Sequence, residues 1–168
     1  MHRSSFACII PNSGFTMRHL LATALIAFAS IASAAPGPYD EAADAKADIQ
    51  AAQAEAKRAK VPLIVVFGAN WCGDCKMLDT SFKTGTAASL MEKNFRVVKV
   101  NVGRFDHNVD IAEAYGVPLK KGIPAVAILS EDGKPIYATR SGELADARKM
   151  GDAGIYDFFA KVAAKPAQ

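Results

Sequence analysis

Cysteine and histidine are scarce in this sequence, which has three of each among 168 residues. So few cysteines exclude the disulfide-rich scaffolds of small secreted proteins. Only Cys72 and Cys75 stand close together in sequence, whereas Cys8 lies near the N-terminus. His107 is the only histidine beyond residue 34, and it lies in a polar stretch without a second group of metal-ligand residues. We therefore predict a solvated His107 and no metal site.

The sequence also lacks a hydrophobic run long enough to span a bilayer comfortably. The longest apolar stretch, Leu20–Ile31, follows Arg18 and precedes Ala32-Ser33-Ala34. A basic segment, a short apolar run and a small-x-small site are typical of a secretory signal peptide. We predict a cleaved leader over residues 1–34, with Met17 as an alternative start, and hence a periplasmic or secreted protein. An uncleaved N-terminal anchor is the alternative interpretation.

The sequence also has no strong excess of positive or of negative charge. The formal net charge is +3, and it falls to +1 without the leader, which holds Arg3 and Arg18 but no acidic residue. A nearly neutral domain offers no electrostatic basis for binding nucleic acid or an anionic membrane surface.

Beyond the leader, the pattern of apolar and turn residues predicts a linker and N-terminal helix over 35–60 and one domain over 61–168. A stripe of small and apolar residues at helical spacing predicts that the first helix lies against a sheet, although a solvated extension is the alternative. The predicted helices are 39–60, 72–82, 86–93, 110–115 and 155–164, and the predicted strands are 63–68, 96–102, 125–129 and 136–139. This order predicts an α/β fold, with a central mixed sheet flanked by helices.

The most informative motif is Trp71-Cys72-Gly73-Asp74-Cys75, which follows the apolar run Leu63–Phe67. Cys72 is thus predicted at a strand-to-helix junction, where unpaired N–H groups and the helix dipole stabilise a thiolate. Cys75, one helical turn later, is placed to attack a mixed disulfide and release the product. The spacing therefore predicts thiol–disulfide exchange.

This motif, together with Gly122-Ile123-Pro124 before the apolar strand 125–129, resembles the thioredoxin superfamily. Among its members, the sequence is similar to extracytoplasmic proteins such as the C-terminal domain of DsbD. The resemblance implies a thioredoxin-like fold with an extra N-terminal helix, and a cis-proline at Pro124 facing the disulfide. It also implies that Ile123 and Pro124 support the substrate. Trp71 and Gly73 are expected to be supporting residues of the site: Trp71 either packs beside the disulfide and shapes the docking surface or belongs only to the core.

Three features depart from the thioredoxin pattern. Val66 stands where thioredoxin has a buried aspartate that assists proton transfer, so Lys99 loses its usual partner and is expected to be solvated. Asp74 replaces the proline between the cysteines and should raise the pKa of the Cys72 thiol. Asp74 either assists proton transfer at Cys75 or only interacts favourably with the helix dipole. The segment 115–122 is longer than its thioredoxin equivalent, and it either selects partners or is a neutral insertion.

These features predict an extracytoplasmic thiol:disulfide oxidoreductase that reduces protein disulfides through Cys72 and Cys75. No cofactor is required, because the dithiol is the redox centre. The expected partners are protein thiols and disulfides, with a membrane-bound or soluble protein as electron donor. Alternatives are a Cu(I)-binding module that uses the two thiolates, a disulfide oxidase or isomerase, and a structural role for the cysteine pair.

Overall fold

The computed structural model describes residues 37–164. The predicted leader, residues 1–34, lies outside the described residues, and so does the end of the chain, 165–168. The leader and the domain boundaries therefore stay predictions.

A four-stranded mixed sheet forms the centre of the protein. Its strands are β1 (Leu63–Gly68), β2 (Arg96–Asn101), β3 (Ala125–Leu129) and β4 (Pro135–Ala138), in the spatial order β2-β1-β3-β4. β1 is parallel to β2 and antiparallel to β3, and β3 is antiparallel to β4. Helices flank this sheet, which confirms the predicted fold class.

The central strand β1 explains the uninterrupted apolar run before the cysteine motif. Every residue of β1 is buried, so neither face of this strand meets water. A strand with both faces covered needs no alternation of polar and apolar side chains. β1 therefore provides a rigid support that ends four residues before Cys72.

The helices are α1 (Ala45–Ala59), α2 (Gly73–Lys83), α3 (Ala88–Asn94), α4 (Val109–Ala114) and α5 (Ala147–Ala163), with a 3-10 turn at Leu119–Lys121. α2, α3 and α5 contact one another, whereas α1 packs against β1 and β2. Ile49 and Ala56 of α1 are buried in that contact, so this helix is not a solvated extension. Within the described residues, none of the helices combines the length and apolar character needed to cross a membrane.

The predicted start of the first helix at Tyr39 is wrong, because α1 begins at Ala45. Asp44 caps the helix, and its carboxylate accepts hydrogen bonds from the backbone N–H groups of residues 46 and 47. The segment before α1 is instead hydrogen-bonded to Asn70. The Tyr39 backbone N–H donates to the Asn70 side chain, whose amide donates back to the Tyr39 carbonyl.

The last helix begins earlier than the predicted Ile155. α5 starts at Ala147 and is interrupted at Gly151, where φ is 65° and ψ is 178°. Glycine adopts this left-handed φ readily, whereas other residues rarely do. The α-helix is interrupted at Gly151 and continues after it. The first turn, before Gly151, carries Arg148 to the active-site helix.

Candidate active site

Cys72 and Cys75 form a disulfide at the start of α2. Cys72 is the N-cap residue, and its Sγ accepts a hydrogen bond from the Cys75 backbone N–H at 3.1 Å. Cys72 is 5% exposed and Cys75 is fully buried. The helix dipole and the free N–H groups of the first turn favour a negative charge at this sulfur. Cys72 is therefore the sulfur suited to attack, and Cys75 the one suited to resolve.

The loop before β3 lies against this disulfide. The Ile123 carbonyl oxygen is 3.5 Å from Cys72 Sγ, and the Ile123–Pro124 peptide bond is cis. Both residues are buried. The structure thus brings Ile123 and Pro124, more than 45 residues away in sequence, next to the cysteine motif.

Trp71 stands at the surface beside the disulfide rather than in the core, since it is 52% exposed. Its Nε1 donates a hydrogen bond to the Gly103 carbonyl at 2.8 Å. Its ring packs against the Phe105 ring in a T-shaped arrangement, with 6.0 Å between the ring centroids. Phe105 is 44% exposed, and the sequence analysis did not identify it as a site residue. The two rings form an exposed aromatic pair next to the cysteines.

Asp74 is joined to α5 by Arg148, another residue that the sequence analysis did not place in the site. The Arg148 backbone N–H donates to Asp74 Oδ1 at 3.0 Å, and Arg148 Nη2 donates to Asp74 Oδ2 at 3.1 Å. Burial acts to raise the pKa of Asp74, but the hydrogen bonds and positive charge of Arg148 outweigh it and lower the pKa. The guanidinium also lies over Gly73. Arg148 therefore offsets the negative charge that Asp74 brings close to Cys72.

The pairing with Arg148 predicts how the stability contribution of Asp74 depends on pH. The folded pKa lies below the unfolded value of about 3.9, so the folded state favours the ionised carboxylate. The stabilisation is complete above the unfolded pKa and disappears as the pH falls through the folded pKa. We expect Asp74→Asn to lower the urea midpoint at neutral pH, and the difference from wild type to shrink as the pH falls below the unfolded pKa of about 3.9 and through the lower folded pKa. A difference that stays constant down to pH 2 would contradict this account of Asp74.

Lys99 is not solvated as expected. Its Nζ forms an ion pair with Asp79 of α2, and the two side chains are 19% and 13% exposed. Burial lowers the pKa of Lys99. Lys99 lies beside Val66 in the parallel register of β2 and β1, so the strand indeed offers no carboxylate at that place. The carboxylate that pairs with Lys99 comes from Asp79 of α2 instead.

His107 is exposed, and its Nδ1 is 2.8 Å from Asp106 Oδ1. Among residues 37–164, no group of three or more histidine, cysteine or acidic side chains is arranged to hold a metal ion.

Comparison with known proteins agrees with this geometry. A family model described as thioredoxin-like matches residues 44–130, which include β1, the cysteine motif and the loop at Pro124. The chain belongs to the thioredoxin-like family. The fold and the close cysteine pair agree with membership of this family.

Similar thioredoxins match the chain over parts of its length. The thioredoxin of Borreliella burgdorferi is 36% identical over 74 residues, which are 44% of this chain and 56% of that protein. Thioredoxin 1 of Chlorobaculum tepidum is 38% identical over 72 residues, 43% of this chain and 63% of its own. The match thus spans less than two thirds of either thioredoxin.

A solved structure matches over more of the chain. The crystal structure of a disulphide isomerase from Xylella fastidiosa Temecula1 is 52% identical in sequence, with a TM-score of 0.74. The match covers 77% of this chain and 98% of that one.

Proposed function

We propose that this protein is a thiol:disulfide oxidoreductase that works outside the cytoplasm and reduces disulfides in other proteins. The observation that carries the proposal is the Cys72–Cys75 disulfide at the N-terminus of α2, with the Ile123 carbonyl 3.5 Å from Cys72 Sγ. The leader pattern over residues 1–34 supports the location. An oxidising compartment, where disulfides persist, is also where a dedicated reductant is needed.

The reaction starts from the reduced dithiol. The Cys72 thiolate attacks one sulfur of a substrate disulfide, and the other substrate sulfur leaves as a thiolate that takes up a proton. Cys75 then loses its proton and attacks Cys72 Sγ, which closes the Cys72–Cys75 disulfide and releases the second substrate thiol. Two electrons have passed from the protein to the substrate. A dithiol protein, membrane-bound or soluble, returns them by the same exchange.

The charges near Cys72 support a reductant rather than a strong oxidant. Strong oxidants stabilise the reduced thiolate far beyond an ordinary cysteine. Here the helix dipole favours the thiolate, but Arg148, whose guanidinium lies over Gly73, is already paired with Asp74. The Asp74–Arg148 pair therefore adds no net positive charge near Cys72. We expect a reduction potential similar to that of thioredoxin.

One experiment tests both location and direction. Expressed with its own leader in a Gram-negative bacterium, the protein should appear in the periplasmic fraction with Ala35 as its first residue. The Cys72–Cys75 couple of this purified protein should then equilibrate with thiol buffers near the roughly −270 mV of thioredoxin. Fluorescence of Trp71, the only tryptophan, is a convenient readout of the redox state.

Different outcomes contradict different parts of the proposal. Retention in the cytoplasm would contradict the location. A potential near the roughly −120 mV of DsbA would make the protein an oxidase. Failure of the cysteines to cycle at all would contradict the redox function itself.

Disulfide isomerisation is the second candidate, because the Xylella protein that shares 52% identity is described as a disulphide isomerase. An isomerase uses the same attacking thiolate, but the substrate's own thiol, rather than Cys75, resolves the mixed disulfide. The two candidates therefore differ in their need for Cys75.

A further inference from the structure

The segment before α1, residues 37–41, lies against the end of the central strand, and we call it the strap. Tyr39 anchors the strap, since this residue is only 2% exposed and its ring lies over Gly68, the last residue of β1. A side chain at position 68 would collide with that ring, so the contact requires glycine there. The strap precedes residue 44, where the match to the family model begins. It therefore lies outside the part of the fold that the family model describes.

The strap is hydrogen-bonded to Asn70, two residues before the attacking cysteine. The Asn70 side-chain oxygen accepts from the Tyr39 backbone N–H at 3.0 Å. The Asn70 amide nitrogen donates to the Tyr39 carbonyl at 2.7 Å and to Glu41 Oε1 at 3.0 Å. These three bonds use the oxygen and both N–H groups of the side-chain amide. Asn70 thus holds the strap through both backbone polar groups of Tyr39.

Asn70 is also one of the two central residues of the turn that leads into α2. The Cys72 backbone N–H donates to the Ala69 carbonyl at 3.1 Å, which closes this four-residue turn. The other central residue, Trp71, is held by its hydrogen bond to the Gly103 carbonyl. Each central residue of the turn is therefore fixed by a segment outside it, Asn70 by the strap and Trp71 by the loop after β2.

The turn determines where Cys72 Sγ lies relative to the groups that act on it. Sγ accepts the Cys75 N–H at 3.1 Å and is 3.5 Å from the Ile123 carbonyl oxygen. A hydrogen bond to a thiolate lowers the pKa of the thiol, and it weakens when its geometry is lost. A turn that moved freely would therefore raise the pKa of Cys72 and slow its attack on a disulfide.

We propose that Asn70 is a positioning residue for thiol–disulfide exchange, and that the strap fixes Asn70 so that Cys72 Sγ stays at the N-terminus of α2. The inference deepens the proposed function and rests on it, because Cys72 is the attacking sulfur. Asn70 acts through the backbone of the turn and not by contact with the substrate. Residues 37–41 are on this account a support of the active site rather than a linker.

The test measures the reactivity of the Cys72 thiolate in the reduced protein. Iodoacetamide alkylates thiolates, and mass spectrometry that locates the added group on Cys72 gives the rate constant at each pH. Asn70→Ala removes all three hydrogen bonds to the strap and changes no charge. We expect the rate constant at pH 7 to fall about tenfold, and the midpoint of the pH profile to move to higher pH.

The direction of this change separates an effect of position from an effect of charge. Release of the strap also frees the Glu41 carboxylate, and loss of a negative charge near Cys72 would lower the pKa of its thiol. Asp74 and Arg148 stay paired with each other beside Cys72, and the substitution alters no other charged group. A midpoint at higher pH therefore reports the weakened hydrogen bond, whereas a midpoint at lower pH overturns the proposal.

Gly37→Ala tests the same contact from the side of the strap. The added methyl group would collide with the Asn70 side chain, so it displaces the strap while every hydrogen-bonding group is kept. The pH profile of this variant should move in the same direction as that of Asn70→Ala. The matched control is Asp44→Ala, which removes the N-cap of α1 and destabilises the same part of the chain without removing a bond to Asn70. Its urea midpoint should fall, and its pH profile should equal that of the wild type.

The outcomes decide between a positioning role and a role in stability alone. A wild-type pH profile in either Asn70→Ala or Gly37→Ala, with the fold intact by circular dichroism, overturns the proposal. If Asn70→Ala does not fold, the profile of Gly37→Ala decides. An equal shift in Asp44→Ala also overturns it, because any loosening of the N-terminal region would then be sufficient.

Failure of the proposed function would be visible separately. Alkylation needs no disulfide substrate, so the pH profiles report the position of Cys72 whether or not the protein reduces disulfides. A wild type that is alkylated at Cys72 but reduces no insulin contradicts the redox function and leaves the role of the strap standing.

Discussion

Replacing Cys72 with serine should abolish disulfide exchange and lower the rate of insulin reduction by at least about a thousandfold. A serine hydroxyl stays protonated at neutral pH and cannot form the mixed disulfide. The fold should survive, because serine is a good N-cap residue and can accept the hydrogen bond that Cys72 Sγ takes from the Cys75 N–H. Insulin turbidity measures the activity, and circular dichroism checks the fold.

The matched variant Cys75→Ser should stop the reaction at the mixed disulfide between Cys72 and the substrate. Cys72 can still attack, but without the resolving thiol the mixed disulfide accumulates and is visible by mass spectrometry under non-reducing conditions. Trapping by Cys72→Ser and not by Cys75→Ser would reverse the two roles. If Cys75→Ser still reactivates scrambled ribonuclease at the wild-type rate, the isomerase candidate is favoured over the reductant.

The sequence predicts the fold and the position of the cysteine motif at the start of a helix well, because both depend on local patterns. The buried strand β1 is a continuous apolar run, and the motif from Trp71 to Cys75 is five consecutive residues. Their order along the chain is enough to place the cysteines at the start of a helix. The loop at Pro124 was identified only through the resemblance to thioredoxin, since nothing near it in sequence points to the cysteines.

Residues joined across long stretches of sequence were not predicted. Arg148 follows Asp74 by 74 residues and looks like one of several solvated charges, yet it is hydrogen-bonded to that carboxylate. Phe105 lies in a polar loop with no periodic pattern. Its place beside Trp71 follows from a turn in which Phe105 itself has a positive φ, which sequence alone does not reveal for a phenylalanine.

The sequence does contain a signal for a buried ion pair at Asp79. Residues 75, 78 and 82 lie on the helix face that contacts the rest of the protein, and Asp79 falls on that same face, four positions after Cys75. An acidic residue on a buried helix face requires a partner. Lys99, on the strand beside Val66, is that partner.

Removing this partner should therefore have a large effect on stability. Asp79→Ala leaves the ammonium group of Lys99 mostly buried without a carboxylate, and we expect the free energy of unfolding to fall by about 2–3 kcal/mol. The double variant Asp79→Leu/Lys99→Met should recover most of this loss, because it removes both charges and fills the space with apolar atoms. Urea unfolding of the two variants and the wild type measures the difference.

Lys83 provides a control on the same carboxylate. Its Nζ is 3.0 Å from Asp79 Oδ2, but its side chain is 60% exposed. An exposed pair is screened by water, so Lys83→Ala should change the free energy of unfolding by less than about 1 kcal/mol. Equal losses for Asp79→Ala and Lys83→Ala would mean that the burial of Lys99 has no energetic consequence. The larger loss for Asp79→Ala would show that α2 is held to β2 by this pair, one helical turn beyond the resolving cysteine.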